Sequence, residues 1–253
     1  MHKLLRAFAP SCVVLACLTL ASGTCSAANY NIDWLNMPPT PFGSSVPNNS
    51  VFFMPGVGNV LVTYNIPAVI TNTRVQAACL ASGSVISGSD TYAWTNHEYF
   101  GTIFTVGPDP LVPVVWTITY TFPGVQPPGT IFVGADGLGA TTSFGGGASI
   151  VTVNQNGAFL GDWGTPGCGN LGPTQFTGGP GTFSMQNSVT APGGLDPNWN
   201  TPLGVVKIND PVSSITISVS QIRGDGIGVN IGNLSQITPT NKSTWGHLRA
   251  LYR

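Results

Sequence analysis

Few side chains in this 253-residue chain can titrate or hold a metal, and the one adjacent His/carboxylate pair is His97-Glu98, within WTNHEYF. Glu98 is the single glutamate, and eight aspartates are the only other acids. A histidine beside a carboxylate suits general acid–base work. On an extended strand, however, neighbouring side chains point to opposite faces, so the two could not serve one substrate unless a turn redirected one of them. Glycoside hydrolysis needs two carboxylates about 5 to 9 Å apart across a cleft. Glu98 could be one of them, and nothing in the linear sequence selects its partner. A serine triad fares worse, because Gly-x-Ser-x-Gly is missing and only His97 and His247 remain beyond His2. Two separated histidines and two separated cysteines also fall short of zinc-ligand spacing. No catalytic residue is assigned.

Calcium chemistry has better raw material. Asp136 in GADGLGA and Asp225 in RGDGIGV are each followed by glycine, in turns that can aim carboxylate and carbonyl oxygens at a cation. The plainer reading is that each Asp-Gly makes a turn between strands. Arg223-Gly224-Asp225 also spells an integrin-type tripeptide, which chance explains in so glycine-rich a chain. Three tryptophans, Trp94, Trp163 and Trp199, sit among polar, Gly or Pro residues in YAWTNH, GDWGTPG and DPNWNTP. Loop placement would let them, with Tyr92, stack on a sugar ring, although loop tryptophans more often pin a loop to its domain.

The elements that must position these residues are strands. Residues 1–27 have the layout of a secretory signal: Lys3 and Arg6, an apolar run from Ala7 to Ala21, then small residues ending Cys25-Ser26-Ala27. That run is too short for a comfortable membrane anchor, and no later apolar run reaches the ~18 residues of a spanning helix. Val14-Leu15-Ala16-Cys17 resembles a lipoprotein box, but the apolar stretch continues through Leu18 and Leu20, which favours cleavage near Ala27. The mature protein is therefore expected to be secreted or held at the cell surface. Cys12, Cys17 and Cys25 leave with the signal, so Cys79 and Cys168 remain. In an oxidising compartment they could close a disulfide worth ~4 to 5 kcal/mol, the alternative being two buried thiols.

Charged residues are 7% of the chain, and removing Lys3 and Arg6 leaves six basic against nine acidic residues. With no basic patch to displace counterions except a small one at the C-terminus, nucleic-acid binding is not expected. Period-two alternation dominates: Trp116, Ile118, Tyr120 and Phe122 share one face with threonines between them, and Ile215, Ile217 and Val219 do the same. Asn156-Gly157, between Ala148–Val153 and Ala158–Leu160, has the composition of a two-residue hairpin turn. About ten strands without an intervening helix predict an all-β antiparallel sandwich, of jelly-roll type. Residues 28–57 read as an extended Pro-rich leading segment with one short strand near Val51 to Met54, 58–235 as the sandwich, and 236–253 as a tail. In that tail Trp245, Leu248 and Leu251 or Tyr252 could line one side of a short helix.

Val114 to Phe122 with Gly134-Ala135-Asp136-Gly137-Leu138-Gly139, and Ile215 to Gly232, resemble the jelly-roll domains of exported bacterial surface proteins. The resemblance covers roughly residues 30–233. The ending Ser243-Thr244-Trp245-Gly246-His247-Leu248-Arg249-Ala250-Leu251-Tyr252-Arg253 resembles short Trp-Gly and Leu-Tyr-Arg tails of such proteins, which implies sorting. The leading expectation is a non-enzymatic β-sandwich acting in adhesion, assembly or the envelope and matrix, with glycans or other matrix proteins as partners. A carbohydrate-binding module is the second, and a glycoside-active enzyme using Glu98 the third. No cofactor is expected beyond a calcium ion at Asp136 or Asp225.

Overall fold

The computed structural model describes residues 27–40, 44–68, 70–77, 82–95, 98–104, 113–138, 148–164, 170–171, 173–187, 199–200, 202–222 and 227–235. The signal, the tail, and Cys79, His97, Cys168, Asp225 and His247 lie outside the described residues, so the disulfide and tail expectations rest on the sequence. The first seven strands are β1 (Asn29–Trp34), β2 (Ser50–Met54), β3 (Gly58–Asn65), β4 (Ile70–Ala77), β5 (Gly83–Ser87), β6 (Asp90–Trp94) and β7 (Glu98–Phe104). Next come β8 (Val114–Gln126), β9 (Ile131–Asp136), β10 (Ala148–Val153), β11 (Gly157–Trp163), β12 (Asn170–Leu171) and β13 (Thr174–Gly179). The last five are β14 (Thr182–Asn187), β15 (Trp199–Asn200), β16 (Leu203–Ile208), β17 (Val212–Ile222) and β18 (Ile227–Ser235). No described residue is helical.

Two sheets form a sandwich. Sheet B runs β13-β14-β10-β17-β8-β3-β2, and sheet A runs β11-β16-β9-β18-β1-β6-β5, with β7 also on β18 and β4 on β7. Within them lies an eight-strand jelly roll. If β7, β8, β9, β10, β14, β16, β17 and β18 are taken as strands one to eight, one sheet holds the first, eighth, third and sixth. The other holds the second, seventh, fourth and fifth, which is the doubly wound Greek-key order of that fold. Almost every pairing is antiparallel, the exceptions being β1 with β6 and β12 with β15.

The alternation seen in sequence is what builds the core between the sheets. Trp116, Ile118, Tyr120 and Phe122 point inward from β8, and the register sets Val219, Ile217 and Ile215 of β17 opposite the first three. Trp116 is 1% exposed, and its Nε1 donates to Gln221 Oε1 at 3.1 Å, so the largest core side chain buries no unanswered donor. Central strands of sheet A are buried on both faces, because β1, β6 and β5 curl over the outer side and enclose a second apolar cluster. There Ile32, Trp34, Val85, Tyr92, Trp94, Phe132, Leu160, Leu203 and Val205 pack together. Trp34 lies against β9 and β18 at Gly134 and Gly232, where a side chain would collide with its ring.

Several sequence expectations change. Residues 28–57 carry the short strand expected near Val51 to Met54, as β2 at an edge of sheet B, and in addition β1, an interior strand of sheet A. The described residues form eighteen strands where the alternation points to about ten, and those it passes over include β1, β5 and β6, of five or six residues each. Asn156-Gly157 does not turn a hairpin, for β10 and β11 lie in different sheets. A type I′ turn needs positive φ at both central residues, and neither has it. Instead Asn156 ties the crossover to two other turns: its Nδ2 donates to Asp210 Oδ2 at 2.9 Å, and its Oδ1 accepts from the Gly181 amide at 2.7 Å.

Two outcomes are expected in urea titrations. Trp116→Ala should cost about 3 to 5 kcal/mol, by transfer and cavity terms together, and leave Gln221 without its indole donor. Asn230 is fully buried, its Nδ2 donating to Leu35 O at 3.1 Å and its Oδ1 accepting from the Ile231 amide at 2.8 Å. Asn230→Ala should therefore cost about 2 kcal/mol or more, through buried backbone groups left unmatched.

Candidate functional site: an uncharged sheet face and a polar groove

Most residues singled out from sequence do not converge. Trp94, expected on a loop, ends β6 and is 4% exposed, and Tyr92 on the same strand is 5% exposed. Both point into the second cluster with Ile32 and Trp34, so neither can belong to a solvent-facing sugar platform. The reason is that β1, β5 and β6 need an apolar filling between them and sheet A, and these aromatics supply it. Trp163 is half-buried at the end of β11, edge-on to Trp94 with centroids 5.8 Å apart, and its ring lies on Gly83 of β5. Trp199 opens β15, pairing by backbone with Asn170. Glu98 opens β7 opposite Ala77 of β4.

Asp136 ends β9 on the outer side of sheet A, just before Gly137, whose φ is 68°. Burial pushes its carboxyl up to about 7, opposed only by its own backbone amide. Among the described residues no three His, Cys, Asp or Glu side chains gather to hold a metal ion. Asp162 on β11 is also raised by burial, while the Thr174 amide donates to its Oδ2 at 2.9 Å. That bond stitches an edge of sheet A to the start of β13 in sheet B. Asp210 is shifted the other way, held below the ordinary carboxylate range by hydrogen bonds from Asn156.

Among the described residues, two surfaces have geometry suited to contact. The first is the outer face of sheet B. None of its seven strands contains Asp, Glu, Lys, Arg or His, whereas sheet A strands carry Asp33, Arg74, Asp90, Glu98, Asp136, Asp162 and Lys207. Register aligns Asn65, Thr117, Ser218, Thr152, Ser184 and Thr177 in one row across six strands. A parallel row begins Thr63, Thr119, Thr216, in which the last two hydroxyls lie 2.9 Å apart. Gln186 Nε2 donates to Gln175 Oε1 at 2.8 Å on the same face. Toward its margins the face becomes apolar, with Val51, Phe53, Val115 and Ile150 exposed. Sequence reading sent these threonines to water one strand at a time, and only register joins them.

The second surface is a groove of about 440 Å³ at one end of the sandwich, lined by Asp33, Pro55, Gly56, Gln126, Pro127, Thr130, Asn233, Leu234 and Ser235. None of these residues stood out in the sequence, because β1, the β2–β3 turn, the β8–β9 connection and β18 that bring them together are far apart along the chain. Gly56 has φ of 76°, and a Cβ there would stand 2.7 Å from Asn233 Nδ2, so glycine lets the turn close over the groove. Comparison with known proteins finds no family model, curated protein or solved structure that matches this chain.

The buried acids set a pH dependence. A carboxyl whose folded value exceeds its unfolded one binds protons more readily in the native state, so stability falls as pH climbs from about 4 to about 7. Asp136 at about 7 against an ordinary 3.8 makes that loss on the order of 4 kcal/mol by pH 8. Asp162 adds in the same direction, whereas Asp210 loses its contribution only as pH drops through its lowered value. Thermal unfolding should therefore occur at higher temperature at pH 5 than at pH 8, and Asp136→Asn should raise the pH 8 midpoint and flatten the profile.

Proposed function

We propose that this is an exported, non-enzymatic β-sandwich that works by surface contact, laying the outer face of sheet B against a neutral polysaccharide of the cell envelope or matrix. Export rests on the signal layout of residues 1–27. The observation that carries the reading is the segregation of charge: every charged residue in a described strand belongs to sheet A, and sheet B offers rows of hydroxyls and amides. A hydroxyl both donates and accepts, so such a face can meet the hydroxyls of a neutral polymer without stranding an ion. Six strands at about 4.8 Å spacing give a row about 24 Å long, wide enough to follow several sugar units. Titratable groups are scarce throughout the chain, which supports binding over catalysis.

Binding through an uncharged face should be indifferent to salt, because there is no ion pair to screen. The purified mature protein should be depleted from solution by at least one of cellulose, chitin, xylan and starch granules, equally at about 50 mM and about 1 M NaCl. Thr117→Lys with Thr152→Lys, on either side of Ser218, should weaken that depletion about tenfold while unfolding stays near wild type. Failure to bind any of the four polymers, or undiminished binding by the double variant, would overturn the reading.

A further inference from the structure

We propose that the groove at the end of the sandwich is a second binding site, a pocket for one neutral, hydroxyl-rich unit such as a single sugar residue. It does not depend on the hydroxyl rows of the sheet B face, none of whose residues line it, although Gln126 at the end of β8 does. The inner face of sheet A is apolar along most of its length, with Leu35 from the segment after β1 and Val229 and Ile231 from β18 in the main core. Toward the end it turns polar. Asp33 stands directly opposite Asn233, and Asn31 opposite Ser235, so carboxylate, amide and hydroxyl share one face of adjacent strands. The opposite wall comes from the β2–β3 turn and the β8–β9 connection, where Pro55 and Pro127 add apolar surface of the kind that meets the C–H face of a sugar ring.

Hydrogen bonding within the lining decides what the groove can accept. Asn233 Nδ2 donates to Pro55 O at 3.1 Å, Gln126 Nε2 to Gly124 O at 2.9 Å, and Thr130 Oγ1 to Pro127 O at 2.7 Å. Ser235 Oγ donates to Asn31 O at 3.2 Å. Both hydroxyl protons and one proton of each amide are thus committed to the backbone. What remains toward the groove is mostly acceptor capacity: the Asp33 carboxylate, the two amide oxygens and the hydroxyl lone pairs. Among the described residues no Lys, Arg or His lines it, so phosphate, sulfate and carboxylate ligands lack a counter-charge there. Its volume falls within the range of small-molecule pockets and well above the space one cation fills. A ligand that donates several hydrogen bonds and carries no negative charge is the match, and adjacent sugar hydroxyls donating to Asp33 meet that requirement.

The test is an NMR titration of the full mature chain with glucose, galactose, mannose, xylose and N-acetylglucosamine in separate runs, following amide resonances of residues 33, 56, 130 and 233. At least one sugar should saturate with those resonances shifting. Asp33→Asn, which keeps the shape but removes an acceptor pair, should weaken binding about tenfold at an unchanged melting temperature. Thr117→Lys with Thr152→Lys should bind the sugar as wild type does, which separates this site from the sheet face. An O-methylated form of the bound sugar should bind more weakly because it has lost donors. The proposal is overturned if no sugar shifts these resonances, if Asp33→Asn binds equally well, or if EDTA abolishes binding, which would make the site a metal bridge.

Discussion

The nine-residue strand β18 is the member on which the remaining architecture depends. One of its edges pairs with β9 from Gly228 to Asn233, and the other is divided, with β7 against Ile227 to Val229 and β1 against Gly232 to Ser235. A strand edge shared between two partners has a break where backbone groups meet neither, and buried groups of that kind are costly. Asn230 stands at the break and bonds both the Leu35 carbonyl and the Ile231 amide. The Leu35 amide also donates to Ile231 O at 2.9 Å, so this bond and the two made by Asn230 close the break where β1 docks beside β7. The second apolar cluster depends on that docking, because β6 pairs with β1 and β5 with β6.

This division also explains how a charge-poor chain covers its sheets. A sheet buried on both faces reads as a near-continuous apolar run, and IFVGAD, LGVVKI and IGVNIG have that character. A sheet with one wet face alternates, as β8 and β17 do. The two sheets therefore differ in sequence pattern for the same reason they differ in surface: sheet A hides its outer face under β1, β6 and β5, and sheet B leaves its own to solvent. The polar groups on that side are hydroxyls and amides, so covering the face would desolvate no ionic side chain of its strands.

The sandwich class and the main core were legible because they rest on local alternation: Trp116 to Phe122 and Ile215 to Val219 announce their faces within a few residues. The added layer was not legible. Trp94 sits in a polar, turn-rich stretch, and its burial depends on β1 and β11, about sixty residues away on either side. Asn156-Gly157 misled for a related reason, since the dipeptide's local preference for a hairpin was overridden by hydrogen bonds to Asp210 and Gly181. The groove was still less visible, for Asp33 and Asn233 are separated by nearly the whole domain and meet only through register.

That register links stability to the groove. Along β1 the odd positions Asn31 and Asp33 lie on the groove side of the sheet while Ile32 and Trp34 face the second cluster, so a slip by one residue would exchange the two sets. Asp33 would then carry its carboxylate into an apolar cluster, and Trp34 would fill the end of the sandwich. What forbids the slip is the fit of Trp34 over Gly134 and Gly232, a bed available at one position along β9 and β18. The acceptor that lines the groove is thus placed by an indole packed on the opposite side of the same strand. A loosening of the second cluster would reach the groove through β1 before it reached the jelly-roll core, where Trp116, Tyr120 and their β17 partners pack without β1.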